Sequence, residues 1–381
     1  MNNIHLCIVS DQPLANLLPA MIAPIKASKV YLLCTPEQTN KGNDQAQTNV
    51  LKDNNINVET IELCAASDFV GLQDQLQKIQ SQHMEDRVLM NVTGGTKPMS
   101  IAAHEWAYSS EKVEVIYLLD QEVIWLHPAN KAAIPVDTKL TLKQFLDAHD
   151  MTVQSMARDA IMSDYSELAT EWKNLAGGND KWLISKLNFY ASEAYNKNAS
   201  PSCVALENKD QTGHFYDAVL ERICKRYPLA TITNGKLCFH NEEERFFCNG
   251  GWLENLVFSE IKQLQQRYPQ ITDVARSVEI NLHQNRTKET INNELDVAVI
   301  VNQQLFVFEC KTKRVGNRGN AIKEKENQVQ HMIYKLAGIM KELGGIQTKG
   351  CVVSFDEARP VDKKRGPLFD IDVISGSTIK D

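Results

Sequence analysis

The sequence predicts an α/β chain of three successive units, and three observations carry that reading. Over residues 1–135, short apolar runs alternate with longer amphipathic stretches, as when strands and helices take turns. Over 136–240, apolar residues recur at helical spacing, and an Asn-Gly pair then splits two short strand-like runs. Over 241–381, a helix preceded by two glycines leads into a strand-rich centre, a second helix and a final strand near Cys351–Phe355. A length of 381 residues suits two or three domains at roughly 100–200 residues each.

In the first unit, Ile4–Val9, Val30–Cys34, Val58–Leu63 and Arg87–Val92 read as buried strands. Leu14–Ala27 and Leu72–Ser81 read as helices between them. Such alternation implies a parallel sheet with right-handed crossovers, a Rossmann-like domain. Val113–Leu119 and Glu122–His127 flank Asp120-Gln121 as a closing hairpin. In the second unit, Leu140–His149, Met151–Met162, Ser166–Leu175, Lys181–Tyr195 and Phe215–Tyr227 follow a helical period. Leu229–Thr233 and Lys236–His240 flank Asn234-Gly235, a pair that favours a tight hairpin turn. Helices plus such a wing suggest a winged-helix-like connector.

Composition narrows the functional classes. The chain is 43% hydrophobic and 23% charged, ordinary for a soluble protein. It holds no apolar run of 18 residues, so no membrane span is expected. The opening MNNIHLCIVSDQ lacks the basic region of a signal peptide. Nine cysteines with no C-x-x-C pair argue against a disulfide framework and against a zinc cage. A reducing cytoplasm is the simplest compartment. Net charge is −7, and all of it falls in residues 1–240, because 241–381 balance 20 basic against 20 acidic residues. Within that neutral third, Lys311, Lys313, Arg314, Arg318, Lys323 and Lys325 cluster as a candidate phosphate-facing patch. H-E-x-x-H and G-x-S-x-G are absent.

The richest stretch runs from Glu294 to Lys311, two apolar strands around the polar Asn302-Gln303. With a two-residue turn, Val301 opposes Gln304, and counting outward sets Asp296 against Glu309. A three-residue turn would shift that pairing. Side chains alternate along a strand, so Glu309 and Lys311 share a face. Facing carboxylates among apolar residues repel and are costly to ionise. A hard divalent cation, Mg²⁺ or Mn²⁺, resolves both problems. Lys311 beside it can hold or activate a water and offset charge on a phosphodiester. Upstream, Gly250-Gly251 opens a helix carrying Glu254 near its start, where the helix dipole also favours an acid. Downstream, Gln330 and Tyr334 share one face of a helix.

Asp296 followed by Glu309-Cys310-Lys311 resembles the PD-(D/E)xK nuclease superfamily, with Leu295 where proline is usual. The resemblance implies a restriction-endonuclease-like domain over 241–381, with Asp296, Glu309 and Glu254 as metal ligands and all three plus Lys311 as catalytic residues. Gln330 and Tyr334 stand as in the RecB-like branch.

A second motif runs through Asn91-Val92-Thr93-Gly94-Gly95-Thr96-Lys97, where a strand ends and a helix begins. Backbone N–H groups at such a helix start can bind an anion, with threonine and lysine assisting. It is neither a Walker A loop nor G-x-G-x-x-G. It closely resembles the Asn-x-Thr-Gly-Gly-Thr-Lys signature of CARF domains, homodimeric sensors of cyclic oligoadenylates in type III CRISPR defence. That resemblance places Asn91, Thr93, Gly94, Gly95, Thr96 and Lys97 at the ligand. Ser10, Asp11 and Gln12 after the first strand should line the same mouth, with Thr35 and Pro36 after the second.

A CARF domain over 1–135, a connector over 136–240 and a nuclease domain over 241–381 resemble the CARF-fused nucleases. The resemblance implies a cytoplasmic, homodimeric, metal-dependent nuclease acting on DNA, with RNA left open, and activated by a cyclic oligoadenylate, cyclic tetra-adenylate before the hexamer. The alternative is a nucleotide-sensing, DNA-binding transcriptional regulator with an inactive nuclease-like domain. The intact Asp296, Glu309 and Lys311 set counts against it.

Overall fold

The structure is a computed structural model. It describes residues 2–110, 112–160, 165–176, 178, 180–195, 202–283, 290–312, 328–343 and 348–380, with the side chains of 282, 283, 290 and 291 excepted. Two compact units result, Met1–Gln154 with Ile280–Asn293 and Glu342–Gly344, and Ser155–Glu279 with Glu294–Lys341 and Gly345–Asp381.

The first unit is built on β1 (Asn3–Ile8), β2 (Lys29–Cys34), β3 (Asn57–Glu62), β4 (Arg87–Asn91), β5 (Val113–Leu119), β6 (Glu122–His127) and β7 (Ile134–Pro135), in the order β3-β2-β1-β4-β5-β6-β7. The first five strands are parallel and β6 and β7 are antiparallel. Helices α1 (Leu14–Met21), α2 (Pro36–Asn40), α3 (Asn43–Asp53), α4 (Phe69–Gln82), α5 (Lys97–Tyr108) and α6 (Leu142–Ala148) accompany it. Strand and helix alternate as expected because β-branched and leucine runs fill both faces of the sheet. Leu72, Leu76 and Ile79 of α4 and Ala103 and Trp106 of α5 pack on the Leu6, Ile8 and Met90 face. The strand order turns outward on either side of β1 and β4. That switch point leaves a crevice at their carboxyl ends, where such sheets take ligands.

In the second unit, α7 (Ser166–Leu175), α8 (Lys181–Glu193) and α9 (His214–Val219) stand where helical period placed them. The wing is present as β10 (Ala230–Thr233) and β11 (Lys236–Phe239), with a further strand β9 (Ser202–Ala205) beside β11. One reading fails here. Cys203 and Cys238, opposite each other on β9 and β11, form a disulfide, which the spacing of the nine cysteines did not suggest. Nor do the helices and wing pack on their own. Trp172 meets Trp252 edge-on at 5.7 Å, and Trp252 meets Phe355 at 5.6 Å. One core thus runs from Leu168 to Ile379.

Beyond α10 (Glu242–Phe246) and α11 (Trp252–Arg267), a six-stranded sheet runs in the order β16-β15-β14-β13-β12-β8. Its strands are β8 (Met151–Ala157), β12 (Ile271–His283), β13 (Thr290–Val301), β14 (Gln304–Lys311), β15 (Thr348–Ser354) and β16 (Ile371–Ser375). Helices α12 (Gln328–Glu342) and α13 (Pro360–Arg365) complete the unit. Two more expectations are corrected. Met151–Met162 is not a helix: its first half is β8, tied to β12 by Ser155 Oγ donating to Glu279 at 2.9 Å and Arg158 Nη2 donating to Asp273 at 2.9 Å. The strand near Cys351–Phe355 is not the last, because β16 adds to the sheet beyond it.

Candidate functional sites

The β13–β14 hairpin turns on two residues. Asn302 and Gln303 both take positive φ, 49° and 64°, the geometry of a tight primed turn. Val301 pairs with Gln304 and Val297 with Phe308, as the two-residue count required. One step further out lie Asp296 and Glu309. Asp296 Oδ2 accepts a hydrogen bond of 2.6 Å from the Cys310 backbone N–H. Burial, with the Glu309 charge next, raises the Asp296 carboxyl to about 7.

Glu254 comes from the first turn of α11. The turn before it needs Gly250, whose φ of 115° is closed to other residues and whose added Cβ would strike Thr312 Oγ1. Glu254 Oε2 is buried with no hydrogen-bond partner. Burial first, then the charges of Asp296 and Glu294, pushes its carboxyl up to about 9, with Lys311 pulling the other way. Two carboxyls that hold their protons so tightly are a donor set suited to a divalent cation. Among the described residues, no three His, Cys, Asp or Glu side chains already stand in metal-holding geometry.

What the spacing did not reveal is Lys335. Its Nζ, from α12, donates to both Glu309 oxygens at 2.9 Å, and Glu309 is only 4% exposed. No motif flags it beyond its place directly after Tyr334. Arg276 of β12 lies near the acids too: burial pulls its guanidinium down, with the charges of Glu254 and Glu243 opposing, and its Nε donates to the Asp159 carbonyl at 2.6 Å. Lys311 is exposed at the end of β14. Lys313, Arg314, Arg318, Lys323 and Lys325 lie outside the described residues. Gln330 Oε1 accepts from Arg359 Nη2 at 3.3 Å, and Tyr334 contacts Phe369 rather than the carboxylates.

The glycine loop follows β4. Asn91 is fully buried. Its Nδ2 donates to the Ala15 carbonyl at 2.8 Å, while its Oδ1 accepts from Thr93 N at 3.0 Å and Thr93 Oγ1 at 2.6 Å. Thr93 Oγ1 in turn accepts from Leu118 N at 2.8 Å. Asn91 and Thr93 therefore brace the loop from within. Gly95 has φ 84°, and an added Cβ there would lie 2.6 Å from Ile8 Cγ2. At Gly94 it would strike the Ile8 carbonyl. The loop thus lies directly on the end of β1. Thr96 caps α5, accepting from Met99 N, and Thr96 and Lys97 are exposed. Ser10, Asp11 and Gln12 follow β1 at the same crevice, and Ser10 Oγ accepts from Gln12 N at 3.3 Å. Asp11 is held by Lys41 at 3.0 Å and by Asn43 at 3.1 Å. Thr35 is nearly buried at the start of α2, and Pro36 opens that helix.

An open parallel sheet with such a loop at its switch point, and a D…E-x-K hairpin carried farther along, define a nucleotide-sensing domain fused to a nuclease. Residues 4–145 match the family model of the Card1 CARF domain, and residues 241–379 match the model of the Card1-like endonuclease domain. The chain is thus a CARF-domain-fused endonuclease of the PD-(D/E)xK type.

Among solved structures it resembles the protein VC1899 from Vibrio cholerae, at 25% identity and a TM-score of 0.84, over 99% of this chain and 95% of that one. It also resembles Can2 from Sulfobacillus thermosulfidooxidans, determined with cyclic tetra-adenylate, at 25% identity and 0.75, over 99% and 94%. A type III CRISPR defence DNA nuclease activated by cyclic oligoadenylate shares the fold at 14% identity and 0.53, over 93% of this chain and 45% of that one. No curated protein matches the chain.

Proposed function

We infer that the protein is a nuclease of type III CRISPR defence, switched on by a cyclic oligoadenylate and cutting phosphodiester bonds with a divalent cation. The observation that carries the reading is the meeting of Asp296, Glu309 and the unpartnered Glu254 oxygen at the base of one hairpin, in a chain whose amino-terminal part is a CARF domain. The sensor occupies 1–135 and the nuclease 241–381, with 136–240 joining them. Because the helices and wing share a core with the nuclease, that connector moves as part of it.

Mn²⁺ or Mg²⁺ held by Asp296, Glu309 and Glu254 would polarise the phosphodiester and lower the pKa of a bound water. Lys311, at the mouth of the site, orients the attacking water in line with the leaving oxygen and offsets the charge that develops on phosphorus oxygens. Lys335 keeps the Glu309 carboxylate aimed, since both its oxygens are engaged from one side. Glycine-loop N–H groups with Thr96 and Lys97 take the activator's phosphates, and Ser10, Asp11, Gln12 and Thr35 line its riboses and bases. Asn91 and Thr93 hold that loop in shape. Cyclic tetra-adenylate is the favoured ring, in keeping with its presence in the Can2 structure.

A second copy of the chain completes the ligand site about a two-fold axis, in the cytoplasm. No described helix is long and apolar enough to cross a membrane. The decisive experiment titrates cyclic tetra- and hexa-adenylate while following circular DNA and RNA with Mn²⁺, Mg²⁺ or EDTA. Cleavage that needs both ring and metal is expected. Metal-independent cutting, or none under any condition, would sink the reading.

A further inference from the structure

The exposed side of α12 carries His331, Tyr334, Lys335 and Gly338. Lys335 reaches both oxygens of Glu309, so this side of the helix runs outward from the carboxylates. Tyr334, one residue earlier, is 47% exposed. Its ring meets Phe369 nearly edge-on at 5.7 Å, and the Arg365 guanidinium lies 5.7 Å from its centroid. Phe369 is 39% exposed and its neighbour Leu368 is 78% exposed. A Cβ on Gly338, one turn along from Tyr334, would meet nothing within 4 Å, so that flank is open.

These groups are braced. Arg365 Nη1 donates to Asp362 Oδ1 at 2.5 Å, and Arg359 Nε donates to Asp362 Oδ2 at 2.7 Å. Asp362 is itself 1% exposed. The cation beside the Tyr334 ring is thereby fixed in place. Two large rings and a leucine left to water beside fixed cations mark a surface that something covers. Flat π-faces next to an arginine and a lysine suit a nucleobase with its attached phosphate, because every base offers a face for stacking and every nucleotide a charge for the cations. Continuity with the carboxylate site through Lys335 singles out the substrate strand as the occupant.

We propose that Tyr334, Phe369 and Arg365 form a stacking subsite for one unpaired nucleobase of the substrate strand, next to the phosphodiester that is cut. The proposal rests on the nuclease reading and adds the part of the substrate this surface takes. A paired base has both faces covered by its neighbours in the helix, so the subsite requires the strand to be open there.

The test uses the full chain with cyclic tetra-adenylate in EDTA, where cutting is blocked. The probe is a single-stranded deoxyoligonucleotide bearing one 2-aminopurine, whose fluorescence falls when its ring stacks. Wild type is expected to quench the probe. Tyr334→Leu should lose most of the quench and bind about tenfold more weakly, roughly 1.4 kcal/mol, whereas Tyr334→Trp should keep both. Equal quenching by Tyr334→Leu, equal quenching of the probe in a duplex, or no binding by wild type would each overturn the subsite. Wild type that quenches the probe yet never cuts DNA or RNA with metal and activator would leave the subsite standing and remove the nuclease reading.

Discussion

At the scale of single residues, the Asp296–Glu309–Glu254 set makes the sharpest predictions. If, as proposed, they serve one reacting phosphate, Glu309→Ala, Asp296→Asn and Lys311→Ala should each lower cleavage by on the order of 10²–10³-fold or more, with losses that do not add. Activator binding, followed by calorimetry, should stay near wild type. Near-wild-type cutting by all three in Mn²⁺ would show that the reacting groups lie elsewhere. Glu254 also has a signature in stability. Its folded carboxyl is raised to about 9, so the folded chain keeps a proton that the unfolded chain sheds above its usual carboxylate range. Stability from this group is whole below that range and drains away as pH climbs towards 9. Glu254→Gln should therefore gain Tm over wild type progressively from pH 5 to pH 9 in EDTA, and a pH-independent difference would contradict the burial. In the loop, Lys97→Ala should weaken cyclic tetra-adenylate roughly 10–100-fold, as the loss of a charge-assisted hydrogen bond does, with folding unchanged because Lys97 is exposed. Unchanged affinity by calorimetry would move the phosphates off this loop. The acids and the loop were legible because each breaks a local pattern, charges between apolar runs and paired glycines before a helix. Lys335 was not, since a lysine on an amphipathic helix breaks nothing, and only the folded chain brings its Nζ to Glu309.

Elements were readable where one period governed them. The β13–β14 hairpin is the clear case, for a turn of two positive-φ residues permits one register and so sets Asp296 beside Glu309. Met151–Met162 shows the converse. Its apolar residues suit a helix, yet Thr152, Val153 and the Ser155 and Arg158 side chains gain more from pairing along β12, so tertiary contact overrode the local period. The β9–β11 disulfide escaped because connectivity does not follow from cysteine spacing. It makes a testable claim about this small sheet. The bridge closes a loop across a sequence separation of 35, for which chain entropy predicts at most about 3–4 kcal/mol. Cys238→Ser should lower the Tm of oxidised protein but leave protein kept in a strong thiol reductant unaffected. An equal loss in both conditions would mean that the serine harms packing rather than removing a cross-link.

At the scale of the whole molecule, sequence pattern marked the two ends and the helices and wing between them, but not what those helices pack against. Leu168, Trp172 and Phe239 share their core with Trp252 and Phe355. Helical period records which face of each helix is buried and says nothing of which partner buries it. That shared core has a functional consequence. On the proposed reading, the helices and wing would respond to the activator together with the nuclease whose core they share. A ring can raise activity only by binding the active arrangement more tightly than the quiet one. Taking the active fraction from 1% to 99% requires ~5.5 kcal/mol of such preference. On the proposed two-fold site, two copies of the Thr93–Lys97 loop closing on several phosphates would be of the right order to supply it. Binding coupling is reciprocal, so nucleic acid at the carboxylate site must tighten the activator by the same factor that the activator tightens nucleic acid. In Glu309→Ala, where substrate persists uncut, cyclic tetra-adenylate affinity should rise several-fold on adding DNA, and wild type should be nearly silent without the ring. Full cleavage without activator, together with an activator affinity indifferent to DNA, would leave a constitutive nuclease beside an unconnected nucleotide site.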